Sequence, residues 1–388
     1  MTVNKFHRHA GTALLGAMLA TLAAATWANP NLDALQWLER ISQAALKLNY
    51  TGTFVYLQQG GQPQTSRITH LIEGGSERER LEMLEGAPVV VVRFNDEVRS
   101  FFPDTKTVLI EKRRSRPGFP SLGVEPLLVP SPASSPAAVT ASGSFAAPAG
   151  SPAAAVQGRG GPSVPLEPAS TAALSAARLA ENYTVRKWDT QRIAGIECQV
   201  LLLEPKDGLR YGHKLWADMT TGLLLKAQMF NERGDVVEQI GFTQVEIGGI
   251  IEKYQARLAR RDGGRDWRVA GAQVSDANFA EAGWKIDAAI PGFRKISEMK
   301  RSRSDGAEFG QVVFSDGLSS VSVFVEPARP GVKVRDGAAV HGAANVYRRS
   351  LGDHVVTVLG EAPAACVTRI ARAIEFKPAA ATAKRGEP

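Results

Sequence analysis

Beyond the first 28 residues the chain carries four histidines, His70, His213, His341 and His354. These are the side chains best suited to proton transfer or metal ligation near neutral pH. No two of them stand at the i, i+4 spacing of a helical zinc site, and neither Cys198 nor Cys366 has a second thiol nearby in sequence. There is no glycine loop followed by Lys-Ser/Thr to cradle a phosphate and no Gly-x-Ser-x-Gly elbow for a nucleophilic serine. The Gly-Gly pairs starting at 60, 74, 160, 248 and 263 read as turns, and so does the acidic pair Asp96-Glu97. Asn49-Tyr-Thr51 and Asn182-Tyr-Thr184 fit the glycosylation pattern and read as chance matches. The cysteines fall in different units in apolar surroundings, which reads as two free buried thiols, a disulfide being the alternative. The pattern is that of a non-enzyme with no cofactor and no metal; carboxylates distant in sequence could still converge in the fold.

What is left is binding chemistry, cationic and apolar. Lys and Arg number 46 against 39 Asp and Glu, a net charge of +7. The basic clusters are Lys112–Arg116, Arg257–Arg268 and Arg294–Arg303; none is interleaved with the aromatics of a single-strand nucleic-acid groove, so no nucleic-acid partner is expected. Such a balance suits anionic partners, phosphorylated lipids or acidic peptides. Residues 1–28 have the form of a secretory signal: Lys5 and Arg8, an uncharged run from Ala10 to Ala25, and small residues at Thr26 and Ala28 for cleavage. This predicts export to the periplasm; an uncleaved anchor is the alternative.

The elements that must present these residues are mostly strands. Asn31 onward predicts a helix with Leu35, Leu38, Ile41, Ala45 and Leu48 on one face. Tyr50–Ile110 alternates short aromatic and β-branched runs with turn signals, an antiparallel meander. From Ser131 to Ser170, 31 of 40 residues are Pro, Ala, Ser or Gly and only Arg159 and Glu167 are charged. This tract has too little apolar surface to offset its ordering entropy and reads as a disordered insertion at about 115–170. Strand patterns resume at Tyr183 and run to Ile247, so ten or eleven strands are expected in one sheet, which must curl or close at that size. The expected domains are 29–250 for the large unit, 251–281 for a charged linker, 282–376 for a small unit ending in an amphipathic helix, and 377–388 for a disordered tail. The fold class is α+β, mostly β.

Several stretches resemble the RseB/MucB family of periplasmic regulators of an envelope-stress sigma factor. They are Tyr50-Thr-Gly-Thr-Phe-Val-Tyr56, Arg67-Ile-Thr-His70, Glu77-Arg-Glu-Arg-Leu81, Tyr211-Gly-His-Lys-Leu-Trp216, Thr220–Lys226, Pro291-Gly-Phe293 and Val313–Phe324. The long Pro/Ala tract and Cys366 depart from what is expected of that family. The resemblance implies a large open curled antiparallel sheet with covering helices, like that of the lipoprotein carriers LolA and LolB, and a small C-terminal domain. It also implies that the chain binds and protects the periplasmic part of a transmembrane anti-sigma factor of the RseA/MucA type, and that a lipid or lipopolysaccharide releases it. A periplasmic lipid or lipoprotein carrier is the alternative, and so, more remotely, is an envelope hydrolase.

Alternation in the meander places Phe54 and Tyr56 on one sheet face and Val55 and Leu57 on the other. Phe54, Tyr56, Leu81, Met83, Leu201, Leu203 and Trp216 are the candidates to line an acyl-chain cavity. Arg294, Lys295, Lys300, Arg301, Phe314 and Phe324 are the candidates to meet an acidic, extended partner segment. A homo-oligomer is compatible with this reading.

Overall fold

The structure is a computed structural model and describes residues 30–112, 169–249, 251–258, 262–264, 266–271, 274–302, 308–328, 334–341 and 344–377. The expected signal segment, the greater part of the Pro/Ala tract and the C-terminal tail fall outside them. The chain opens with helix α1, Pro30–Lys47. Six strands follow: β1 Tyr50–Gln58, β2 Gln64–Glu73, β3 Ser76–Met83, β4 Val90–Phe94, β5 Glu97–Phe102 and β6 Thr107–Lys112. Each pairs antiparallel with the next, because tight turns join them. Gly74 and Gly75, with φ of 57° and 78°, supply the left-handed pair that a two-residue hairpin between Glu73 and Ser76 requires.

Helix α2, Ala169–Asn182, leads into β7 Tyr183–Ile193, β8 Ile196–Pro205, β9 Gly212–Asp218, β10 Leu224–Phe230 and β11 Val236–Ile247. Pairing of β11 with β1 closes the two halves into a single sheet. A short helix α3, Ile251–Leu258, is followed by β12, Arg268–Gly271, which joins β6 in parallel. The sheet has twelve strands in the order β12-β6-β5-β4-β3-β2-β1-β11-β10-β9-β8-β7, and its edges stay open. The twelfth strand comes from the segment expected to be a linker: 251–281 gives β12 to the large sheet and β13, Val274–Asp276, to the small one.

The small unit contains β14 Trp284–Lys285, β15 Arg294–Ser302, β16 Glu308–Ser315, β17 Ser320–Pro327, β18 Gly337–His341, β19 Ala344–Leu351, β20 His354–Gly360, helix α4 Ala364–Ala373 and β21 Glu375–Phe376. Seven of its strands form a sheet in the order β13-β15-β16-β17-β20-β19-β18, and β14 pairs with β21. Cys366, Val367, Ile370 and Ala371 bury one face of α4, in line with its amphipathic pattern. Both units have their own apolar core. No helix among the described residues is long and apolar enough to cross a membrane.

Candidate functional site

The register of the large sheet decides which apolar candidates can share a surface. Tyr56 stands opposite Ile240, Ile240 opposite Ala227, Ala227 opposite Leu215 and Leu215 opposite Leu201, one continuous cross-strand row. Phe54, Met83, Leu81 and Leu203 fall on the same face through the pairs Phe54–Ser66, Ser66–Met83 and Ile68–Leu81 and the two-residue period. Trp216 does not. Its row runs through Lys226, Gly241 and Val55, on the opposite face. There the ring lies under the ammonium groups of Lys226 and Lys214, at 4.7 and 5.1 Å, and Nε1 donates to Gln191 Oε1 at 2.7 Å. Neighbours on one strand point to opposite faces and Trp216 follows Leu215, so it is buried from the other side of the sheet, though it belongs to the same apolar cluster as Phe54 and Leu201.

The Phe54 face is filled. Ala34, Trp37, Leu38, Ile41 and Ala44, at helical spacing on α1, are buried, and all but Ala44 belong to the same apolar cluster as Phe54, Tyr56, Leu81, Leu201 and Leu203. Ala176 and Leu179 of α2 complete that cluster. The rim of α1 is tied down by Lys187 Nζ to Asp33 Oδ2 at 2.7 Å and by Arg40 Nη2 to Met219 O at 2.9 Å. Phe54, Tyr56, Leu81, Leu201 and Leu203, expected to line a cavity, therefore form a core beneath a helical cover, while Met83 is half-buried. Both thiols are free and buried, and burial pushes Cys198 up to about 11 and Cys366 up to about 12.

A second feature, the joint between the units, was not visible in sequence. Arg210, in the β8–β9 connection, is 1% exposed. Its Nε donates to Asp316 Oδ2 at 2.9 Å, its other nitrogens meet Asp207 and the Pro291 carbonyl, and its guanidinium lies 5.2 Å from the Phe293 ring. Asp316 sits in the β16–β17 turn of the small unit. It also accepts from Tyr183 Oη at 3.1 Å and from the backbone N–H groups of Leu318 and Ser319. His213 packs beside Tyr183 with ring centroids 6.1 Å apart, and its Nε2 finds no partner among the described residues. Burial holds this imidazole down at about 4, against an opposing pull from Asp316.

Two more contacts brace the joint. Asn345 Nδ2 bonds Tyr211 Oη at 2.9 Å, and Arg301 Nη2 bonds Glu111 Oε1 at 2.7 Å. Tyr56 and Glu238 place a hydroxyl and a carboxylate oxygen side by side in the interior, neither in good hydrogen-bond geometry. Burial first, and then the Glu361 carboxylate of the small unit, push Glu238 up to about 8.

The cationic candidates divide. Arg294, Lys295 and Lys300 are exposed along β15, Lys295 bonded to Glu298 at 2.5 Å. Arg301 is spent on the joint. Phe314 and Phe324 do not present a surface: they are 3% and 8% exposed, and Phe314 belongs to the small core. Alternation points Phe314 inward with Val312, so its expected role as a partner contact is corrected to packing, whereas Phe324, between the core residues Val323 and Val325, points to the other sheet face, opposite Gln311 and Thr357 and 6.2 Å from the Phe309 ring.

A filled, helix-covered open sheet is joined through buried charges to a small sheet with exposed cations along β15, a two-unit architecture. Family models place it further: the MucB/RseB N-terminal domain matches residues 33–260 and the MucB/RseB C-terminal domain matches 278–375. The chain belongs to the MucB/RseB family. It is 29% identical over 377 residues to the Sigma factor AlgU regulatory protein MucB of Pseudomonas aeruginosa, covering 96% of this chain and 98% of that one. It is 28% identical over 203 residues to the Sigma-E factor regulatory protein RseB of Salmonella typhimurium, covering 52% of this chain and 61% of that one. Among solved structures it resembles MucB in complex with MucA(peri), at TM-score 0.59 and 25% identity over 89% of this chain and 100% of that one. A Pseudomonas aeruginosa MucA/MucB complex matches at TM-score 0.60, 25% identity and the same coverage.

Proposed function

We propose that the chain is an exported, periplasmic regulator that holds down an envelope-stress sigma factor by binding the periplasmic part of a transmembrane anti-sigma factor. It acts by binding and not by turnover. The observation that carries this reading is the likeness of both units together, across 89% of the chain, to MucB bound to MucA(peri). The exposed cations Arg294, Lys295 and Lys300 supply a basic strip along β15 for an acidic, partly extended segment, which can meet it without disturbing the small core. The bound segment is shielded from its protease.

A lipid or lipopolysaccharide acyl chain is the releasing signal in this reading, and helix α1 is the lid it must displace. Uncovering Trp37, Leu38 and Ile41 costs about 1.5–3 kcal/mol each, so roughly 5–9 kcal/mol. An acyl chain of about twelve carbons returns ~0.8 kcal/mol per buried CH2, roughly 10 kcal/mol. The exchange is nearly balanced, so binding can be reversible. Tyr56 and Glu238 couple the sheet to the joint, since Glu361 of the small unit faces Glu238. The test is a pull-down from envelope extract with the mature chain as bait. The expected catch is a single-span anti-sigma factor, recovered less well when lipopolysaccharide is added. Recovery of outer-membrane lipoproteins in its place would favour a carrier.

A further inference from the structure

At one end of the Phe54 face the sheet turns polar. Tyr50, His70, Glu79 and Arg93 follow one another across β1, β2, β3 and β4 in a single row. Glu77, two residues before Glu79 on β3, shares the face. His70 is 1% exposed and Glu79 4%. His70 Nδ1 lies 2.8 Å from Leu48 O, which only accepts, so this nitrogen carries the ring proton and donates it. Nε2 then faces Glu77 Oε1, another acceptor, at 3.2 Å. Two lone pairs at that distance require a cation, either a second proton or a metal ion.

Three observations favour the metal. The ligand atoms of His70, Glu77 and Glu79 all lie within 4.8 Å of one another. Zinc–nitrogen and zinc–oxygen bonds of about 2.0–2.1 Å give a tetrahedral edge of about 3.3 Å, close to the 3.2 Å between Nε2 and Oε1. Glu79, though buried, makes no hydrogen bond or ion pair with another described residue, and Arg93 reaches only Glu77, at 4.0 Å. A buried carboxylate this close to Nε2, with no cationic partner among the described residues, adds to the demand for positive charge between them. A histidine whose far nitrogen is fixed by a backbone carbonyl is also the usual setting of a metal ligand.

We propose that His70, Glu77 and Glu79 form a binding site for one small divalent cation, zinc by its one nitrogen and two carboxylate oxygens, with water as the fourth ligand. The site lies under the exit of α1. Leu48 directly follows that helix's last turn, and Asn49 Oδ1 accepts from Ile72 N at 2.7 Å beside it. A bound cation fixes the imidazole, and through Nδ1 the Leu48 carbonyl, so it stiffens the end of the lid. That consequence rests on the reading of α1 as a lid; the binding itself does not.

The experiment uses the full mature chain, stripped with chelator and titrated with zinc by calorimetry, with a cobalt arm read by visible absorption. The expected result is one saturable zinc per chain, a raised melting temperature, and a tetrahedral cobalt spectrum. Glu79→Gln preserves shape and should lower zinc affinity at least tenfold while the metal-free melting temperature stays at or above that of the parent. His70→Gln should abolish the cobalt spectrum. No saturable uptake, or uptake unchanged in both variants, overturns the proposal and leaves a proton shared between His70 and Glu77 as the cation. Neither outcome touches anti-sigma binding, which is measured separately.

Discussion

Replacing Asp316 with alanine is the sharpest perturbation of the joint. Both its side chain and that of Arg210 are fully removed from solvent. The substitution strips Arg210 of its buried counter-charge and leaves only Asp207, whose side chain is 35% exposed. It also strips an acceptor from Tyr183 Oη and from the N–H groups of Leu318 and Ser319. Breaking a buried pair by removing one partner costs roughly 3–5 kcal/mol, because the surviving charge keeps its desolvation penalty. The loss should fall at the upper end of that range. Asp316→Asn keeps an acceptor for the turn and should lose about half as much. The assay is urea unfolding followed by tryptophan fluorescence, since Trp216 reports on the large sheet and Trp284 on the small unit. The parent should unfold in one transition, and Asp316→Ala in two, the small unit detaching first. A variant within about 1 kcal/mol of the parent, still unfolding in one step, would refute the claim that this pair locks the units together.

Three further outcomes are expected. His213 stays neutral in the folded chain down to about 4. The unfolded chain protonates first as pH drops below about 6.5, so stability is complete above that pH and falls by on the order of 3 kcal/mol on acidification to 4; His213→Gln should flatten this slope in pH-dependent melting. Glu238 has the opposite sign: its acid form persists up to about 8 in the fold, so stability is lost as pH rises from about 4.5 towards 8. Glu238→Gln should melt higher than the parent at pH 8.5 and much like it at pH 5. Gly292 has φ of 84°, and a Cβ there would stand 2.3 Å from Asn182 Nδ2 of the large unit. Gly292→Ala should destabilise the joint by at least 1 kcal/mol and speed proteolysis between the units.

Much of the architecture could be read from residue type and spacing. β1 begins at Tyr50 and α4 buries Val367 and Ile370 as their patterns require. Helix α2 was missed because Ala169–Asn182 continues the alanine- and serine-rich composition of the tract before it, and composition alone does not separate a helix from a coil. β12 was missed because a parallel edge strand has no hairpin turn to announce it. The joint depends on Arg210 meeting Asp316, a pairing no local pattern encodes. The row of His70 and Glu79 was within reach. The Gly74-Gly75 turn sets Glu73 opposite Ser76, and counting back in that register brings His70 opposite Glu79. The same counting separates Trp216 from Leu201.

The central claim is that this chain binds the periplasmic segment of an anti-sigma factor and that a lipid weakens the complex. Titration of that purified segment into the full mature chain, by calorimetry with and without lipopolysaccharide, tests it most directly. Saturable one-to-one binding is predicted, weakened by lipid and by the charge reversals Arg294→Glu and Lys300→Glu; the absence of binding to a correctly folded chain would contradict the account.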